Sequence, residues 1–256
     1  MLPGKWGLHT FYMKDNVIRA YLPDTRQFNQ LTLKHLLGKY QSVYIKPNMS
    51  HAGKGIKKAW KSKDGYRLVK VKGKYKTFRT VQKLYKTIRK NTRSEAYIIQ
   101  QSIDLAELKS RPFDIRVMMM RNSQNRWSFM GMLAKVAGKS SVITNVNRGG
   151  GYVISVDQAL SDSLELKTME KRKITQKLIR LSYRICNRFI HYKYSSQIGI
   201  DFAIDKNKRL WVIEVNFDYP SHLLFSKLKD QTIYRKIKTV SRSYNNALRA
   251  GKFKRK

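Results

Sequence analysis

Residues 197–220, QIGIDFAIDKNKRLWVIEVNFDYP, place two carboxylates and a carboxamide where they could share one cation. Ile200, Phe202 and Ile204 alternate with Asp201, Ala203 and Asp205, the period-two pattern of a strand. A second apolar run, Leu210–Asn216, follows a polar turn at 206–209. If Asp205 faces Leu210 across a hairpin, Ala203 stands opposite Val212 and Asp201 opposite Glu214, with Asn216 two residues on and on the same face. Carboxylates that face each other repel, so this pair needs neutralising. A magnesium ion suits three oxygen ligands, Asp201, Glu214 and Asn216. An arginine or lysine from elsewhere in so basic a chain would serve the same purpose.

A second cluster lies in residues 43–56, VYIKPNMSHAGKGI. Lys46 ends an apolar strand, Pro47 stops the ladder, and the following loop carries Ser50, Gly53, Lys54 and Gly55. Small residues let backbone N–H groups approach phosphate oxygens, and the lysines add charge. The loop is not a Walker A motif, since Lys54 is followed by Gly55 and then a strand rather than by Ser or Thr and a helix. In RPFDIRVMMM, residues 111–120, Asp114 and Arg116 share one strand face, with Val117 and Met119 on the other. An arginine on a strand interior can grip phosphate bidentately or pair with Asp114. Lys135 is a further phosphate candidate. Asn145, Asn147 and Arg148 precede Gly149, Gly150 and Gly151 in a polar loop suited to a lid or substrate contact.

Other chemistries find less support. The five histidines show no zinc spacing, and Cys186 alone can form neither a thiolate site nor an internal disulfide, which suits a reducing, cytoplasmic setting. No serine lies in GxSxG, and no helix-turn-helix or RNP pattern is present. The chain of 256 residues carries 54 Lys+Arg against 16 Asp+Glu, a net charge of +38, so its partners are anionic. Its N-terminus shows no secretory leader, and no apolar run approaches the roughly 20 residues of a membrane helix.

The elements that must position these residues read as follows. A basic, aromatic lead-in spans 1–27, and a helix is expected over 28–39. Strands are expected at 42–46, 56–60 and 97–103, with a basic hairpin over 66–78 and a helix over 80–90. Strands at 114–121 and 127–137, one long helix over 166–194 and a final helix over 232–250 complete the chain, and the tail 251–256 is expected to be disordered. Strands and helices mix without a βαβ rhythm, which indicates an α+β fold.

The order of VYIKP with its glycine loop, YIIQQSIDL, PFDIRV, TNVNRGGG and GIDFAIDKNKRLWVIEVN resembles the ATP-grasp superfamily, in its endospore-coat-associated YheC/YheD branch, over nearly the whole chain. The resemblance implies ATP held between two α+β subdomains, here 28–103 and 104–250. Lys46 would meet the α-phosphate and adenine side, with Ser50, Gly53, Lys54 and Gly55 closing over the triphosphate. Gln100, Gln101, Ser102 and Ile103 would read adenine. Arg116 and Lys135 would meet the β- and γ-phosphates, so that Arg116, Lys135 and Arg148 are the catalytic candidates. Asp201, Glu214 and Asn216 would hold magnesium, usually two ions. The implied reaction is carboxylate–amine ligation through an acyl phosphate. Members of the family usually carry an additional N-terminal domain, for which the glycine loop at residue 55 leaves no room. A partner protein would then supply that surface, a large substrate would dock on the open face, or activity has been lost. The charge points to an anionic macromolecular substrate, such as a cell-wall or spore-coat polymer. A non-catalytic coat protein, an ATP-binding regulator and a nucleic-acid binder are the alternatives.

Overall fold

The computed structural model describes residues 4–50, 53–71, 73–90, 95–139, 141, 144, 146, 150–217 and 220–255. The chain divides into two compact units, residues 1–104 with 137–151, and residues 105–136 with 152–256. Helices and antiparallel strands are mixed in both, giving the expected α+β class.

The first unit begins with helices α1 (Gly4–Met13) and α2 (Asn16–Arg19). The lead-in is therefore helical, which its basic composition concealed. Leu8, Phe11, Tyr12 and Ile18 are buried, and Asp15 caps α2 by accepting from the backbone N–H groups of Val17 and Ile18. There follow β1 (Thr25–Gln27), α3 (Gln30–Lys39), β2 (Ser42–Pro47), β3 (Lys57–Ser62), β4 (Gly65–Val69), β5 (Lys76–Phe78), α4 (Val81–Lys90) and β6 (Tyr97–Gln101). Helix α3 opens on a capping box in which Asn29 and Thr32 exchange side-chain and backbone bonds. The strands form one sheet in the order β1-β6-β2-β3-β4-β5. Leu33, Leu36, Leu84 and Ile88 from the helices pack on Val43, Ile45, Ala59 and Ile99 from the sheet. Alternation then assigns Tyr44, Lys46, Lys58, Trp60 and Arg67 to the opposite sheet face.

The second unit contains β7 (Glu107–Leu108), β8 (Arg111–Arg121), β9 (Trp127–Val136), β10 (Tyr152–Ile154), α5 (Val156–Leu164), α6 (Thr168–Phe189), β11 (Gln197–Ile204), β12 (Leu210–Asn216) and α7 (Thr232–Arg249). Its sheet runs β10-β9-β8-β11-β12, with β7 paired to β8. The long helix expected over 166–194 is shorter, ending at Phe189, and α5 precedes it. Glu165 adopts φ 51° between the two, a left-handed turn that interrupts the helix. Helix α7 and Phe225 cover Met118, Met120, Met130 and Leu133. The tail is not disordered through residue 255. Lys252 N–H donates to Ala247 O at 3.1 Å, and Phe253 lies against Tyr244 with ring centroids 5.2 Å apart.

The β11–β12 hairpin corrects the expected register while keeping its central pair. Ile204, not Asp205, faces Leu210, and Ala203 faces Trp211. Asp205 instead organises the turn. Its Oδ1 accepts from the backbone N–H groups of Asn207 and Arg209, each at 2.9 Å, and its Oδ2 accepts from Trp211 Nε1 at 2.9 Å. A bulge at Ile213 inserts one extra residue, so that Phe202 faces Val212 and Asp201 still faces Glu214.

Candidate functional site

Four strands of the second unit converge on one polar cluster. Asp114 stands opposite Lys135 across β8 and β9, Arg116 opposite Asp201 across β8 and β11, and Asp201 opposite Glu214 across β11 and β12. Arg116 donates to both oxygens of Asp201, Nε to Oδ1 at 2.6 Å and Nη2 to Oδ2 at 2.8 Å. Lys135 Nζ donates to Asp201 Oδ1 at 2.8 Å and lies 3.0 Å from Asp114 Oδ1. Asn216 Nδ2 approaches Asp201 Oδ2 at 3.3 Å and Gly199 O at 3.4 Å. Asp114, Arg116, Lys135 and Asp201 are all buried. Two cations and two carboxylates thus form a charge-balanced group, the arrangement that makes such burial tolerable.

The cluster carries strong electrostatic bias. Burial alone would raise the Asp201 carboxyl, but the charges of Arg116 and Lys135 outweigh it and hold the group well below the usual carboxylate range. Burial likewise opposes the Arg116 charge, and Asp201 more than compensates, keeping the guanidinium protonated. Gly199 makes room for this grip. A Cβ there would lie 2.9 Å from Pro220 Cβ and 3.1 Å from Arg116 Nη1.

Both sources of neutralisation considered for the carboxylate pair bear on this geometry. Asp201 has its basic partners, and four donors already surround its oxygens. Glu214 and Asn216 are half-buried beside it and offer the hard oxygen atoms that suit magnesium. Among the described residues, no three His, Cys, Asp or Glu side chains gather into a metal cluster. The oxygen atoms that remain for a cation here are those of Glu214 and Asn216, with Asp201 already held by cations.

The first unit gathers a different set. Lys46 Nζ donates to Gln100 Oε1 at 2.5 Å, and Gln100 Nε2 donates to Thr25 Oγ1 at 2.9 Å. Lys46 and Lys58 both approach the Tyr44 ring, each 5.6 Å from its centroid. Burial pushes the Tyr44 hydroxyl up to about 12, against a smaller opposing pull from a Ser102 hydrogen bond, so it stays a neutral phenol. Gly53 and Gly55 take φ 74° and 75°, and a Cβ on Gly55 would meet Pro47 Cγ at 2.7 Å. Ser50 Oγ donates to Glu95 Oε1 at 3.2 Å, and Lys54 is exposed. The connecting segment, expected to read adenine, is tied to the rest of its unit by backbone bonds. Gln101 N–H donates to Asp24 O at 2.8 Å and Ser102 N–H to Ser42 O at 3.2 Å, while Ile103 is half-buried. Arg148, with Asn145 and Asn147, lies outside the described residues.

Three residues gain importance from the structure. Asp114 is the second carboxylate gripping Lys135, foreshadowed by its spacing from Arg116. Gly199 is the cradle for Arg116, for which the sequence carried no signal beyond the glycine itself. Lys57 is buried beside the glycine loop, with Nζ 3.3 Å from Gly55 O and 4.8 Å from the Tyr97 ring centroid. Burial is the main cause lowering its pKa, and nearby Lys70 adds to the shift. Its inward phase with Ala59 was the available signal.

A model of the YheC/D-like ATP-grasp family matches residues 1–248. Endospore coat-associated protein YheD of Bacillus subtilis (strain 168) is 28% identical over 228 residues, covering 87% of this chain and 49% of that protein. Endospore coat-associated protein YheC of the same organism is 24% identical over 222 residues, covering 84% of this chain and 59% of that one. The chain thus spans about half the length of these relatives. Among solved structures, the C-terminal domain of K. lactis Pby1, an ATP-grasp enzyme interacting with the mRNA decapping enzyme Dcp2, aligns with TM-score 0.52 at 15% identity, over 93% of this chain and 72% of that one. The ATP-grasp ligase PsnB, complexed with a phosphomimetic variant of a minimal precursor, Mg and ADP, aligns with TM-score 0.51 at 10% identity, over 94% and 58%. These neighbours share the fold. No helix among the described residues is long and apolar enough to cross a membrane. The chain belongs to the YheC/D-like ATP-grasp family.

Proposed function

We propose that this member of the YheC/D-like ATP-grasp family is an ATP- and magnesium-dependent carboxylate–amine ligase acting through an acyl phosphate. One observation carries the reading. Arg116 and Lys135 are buried side by side, clamped by Asp114 and Asp201, with Glu214 and Asn216 adjoining them. Such a group fixes two cationic side chains, each held by a carboxylate, beside the hard oxygens of Glu214 and Asn216, the kinds of group that phosphoryl transfer uses.

In this reading a substrate carboxylate oxygen attacks the γ-phosphorus of ATP, the bond to the bridging oxygen breaks, and ADP leaves. An amine then attacks the acyl carbon, phosphate departs, and the amine proton passes to solvent. Arg116 and Lys135 hold the charge that builds on the transferred group. Lys46 and the loop carrying Ser50, Gly53, Lys54 and Gly55 remain the first unit's candidates for nucleotide contacts, on the family resemblance. Glu214 and Asn216 would hold the magnesium, which supplies charge neutralisation to the phosphate oxygens. The family's coat-associated relatives and the charge of +38 favour an anionic macromolecular substrate linked to the spore coat or envelope, and the lone Cys186 suits a cytoplasmic site of action.

Titration calorimetry tests the assignment. ATP binding is expected to require magnesium in the wild type and to lose that requirement, with most of its affinity, in Glu214→Ala. Equal affinity with and without magnesium in the wild type refutes the reading.

A further inference from the structure

Helix α7 covers the far end of the sheet face that carries the buried ion group. Along β8, Asp114 and Arg116 alternate in phase with Met118 and Met120, and the two methionines lie under α7 and Phe225. From Arg116 to Met120 the strand advances about 13 Å. Ile233 seats the helix over Gly131, where a Cβ would lie 2.5 Å from Ile233 Cγ2. The inner side of α7 buries Ile237, Tyr244 and Ala247. Its outer side is of one sign. Arg235, Lys238, Arg242 and Arg249 recur at intervals of three, four and seven residues, a single helical stripe, and all are exposed. The stripe runs about 21 Å, and exposed Lys252 and Lys254 follow it in the turn that folds back on Tyr244.

No acidic residue occurs in the sequence after Asp230. Asp230 itself accepts from Thr232 N–H at 2.8 Å and feels the charge of Arg235, the first cation of the stripe. No ion pair among the described residues engages the stripe. Lys238 touches only the Tyr234 ring face, 5.5 Å from its centroid, among these charged and aromatic contacts. Among the described residues, the stripe is therefore a row of exposed cations of one sign on a helix, with Arg235 in the field of Asp230 at its start.

We infer that α7 and the segment after it dock an acidic polypeptide, and that side-chain carboxylates on the part of this peptide beyond the stripe are the groups the ligase site at the other end of β8 activates. This rests on the ligase reading above. The choice of partner follows from chemistry. A ligase of this kind must capture a carboxylate, and a basic stripe on the same unit, leading from the Met118 end of β8 toward the β8–β9 turn, recruits polyanions. A carboxylate-rich peptide satisfies both needs with one kind of group. A phosphodiester polymer matches the charge but brings nothing to activate. An extended peptide of about seven residues spans the stripe.

The test uses a fluorescein-labelled oligoglutamate of about ten residues, followed by anisotropy, and an oligothymidylate of equal charge. The wild type is expected to bind oligoglutamate more tightly than oligothymidylate, with affinity falling steeply as salt rises. The triple variant Arg235→Glu, Lys238→Glu, Arg242→Glu should lose at least about tenfold. A control reversing Lys173, Lys177 and Arg180 on α6 changes net charge equally and should retain affinity within about threefold. In the second readout, hydroxylamine attacks the acyl carbon of the phosphorylated peptide, releasing phosphate and leaving a hydroxamate. The α7 variant should need at least about tenfold more oligoglutamate for half-maximal hydroxamate at unchanged half-saturating ATP. Equal losses in the α6 control, preference for oligothymidylate, or oligoglutamate-independent ADP release would overturn the inference. Failure of magnesium-dependent ATP binding would instead overturn the ligase reading, and anisotropy would still report on the stripe.

Discussion

Replacing Lys135 by Met tests whether the buried group is a mutually dependent unit. Lys135 Nζ lies 2.8 Å from Asp201 Oδ1 and 3.0 Å from Asp114 Oδ1, and its side chain is 8% exposed. At an effective dielectric of about 20, each contact is worth about 6 kcal/mol before desolvation is charged against it. Desolvating the ammonium consumes much of that, and breaking a buried pair by removing one partner costs about 3–5 kcal/mol. Methionine keeps the aliphatic stem, so the loss reports charge rather than a cavity. Urea unfolding at neutral pH should show Lys135→Met destabilised by about 3–5 kcal/mol. The double variant Asp114→Asn, Lys135→Met removes one charge of each sign and leaves Arg116 on Asp201. It should recover to within about 2 kcal/mol of wild type. Acid sharpens the comparison. The Asp201 carboxyl is depressed in the folded chain, so its contribution is full above the unfolded value near 4 and fades as pH falls below it. Without Lys135 that depression is smaller, so the gap between variant and wild type should narrow in acid. Equal destabilisation of the single and double variants would refute the idea that charge balance holds the group together.

Two further outcomes follow from the same geometry. Gly199→Ala should cost about 1–3 kcal/mol and weaken ATP binding, because the new methyl group meets Pro220 and an Arg116 guanidinium pinned on two sides. Unchanged thermal stability and calorimetric affinity would show that Arg116 relaxes freely. His9 is held to about 4, chiefly by burial and against a weaker pull from Asp24. It is therefore neutral in the fold while the unfolded chain takes up a proton near 6.5, so stability should fall by up to about 3 kcal/mol between those values as pH drops. A His9→Phe variant should show a flatter melting temperature against pH over this window, and an identical slope would contradict the assignment.

The strand pairs that bear the site were legible because alternation is a local property. Asp201 and Glu214 were matched across the hairpin, yet through a register that the molecule does not use. The expected turn was one residue out, since the role of Asp205 as an internal acceptor depends on three-dimensional closure. The bulge at Ile213 returned the pair to register. A two-residue alternation reports faces, not the insertion that shifts them. The N-terminal helices were missed for a different reason. Leu8, Phe11, Tyr12 and Ile18 acquire meaning only as a buried stripe, and basic and aromatic neighbours dilute it in the sequence. What neutralises Asp201 was likewise a tertiary matter. Arg116 and Lys135 come from 85 and 66 residues away, and only strand order decides that they, rather than other cations, reach it.

The distribution of charge separates two tasks that net charge alone confounds. Within the second unit's core, Asp114 and Asp201 answer Arg116 and Lys135 one for one, so the interior site adds nothing to the excess of +38. The excess resides elsewhere, in acid-free stretches such as 65–94, which runs through β4, β5 and α4, and the stretch after Asp230, which forms α7. A surface of one sign stores repulsion, and folding gains nothing from it. Binding an anionic partner relieves that repulsion, with a dependence on salt that buried pairs do not share. The inner and outer cations should therefore part company experimentally. Raising salt should weaken capture of the acidic peptide far more than it weakens unfolding stability, and parallel losses would mean that the outer charge is part of what holds the fold.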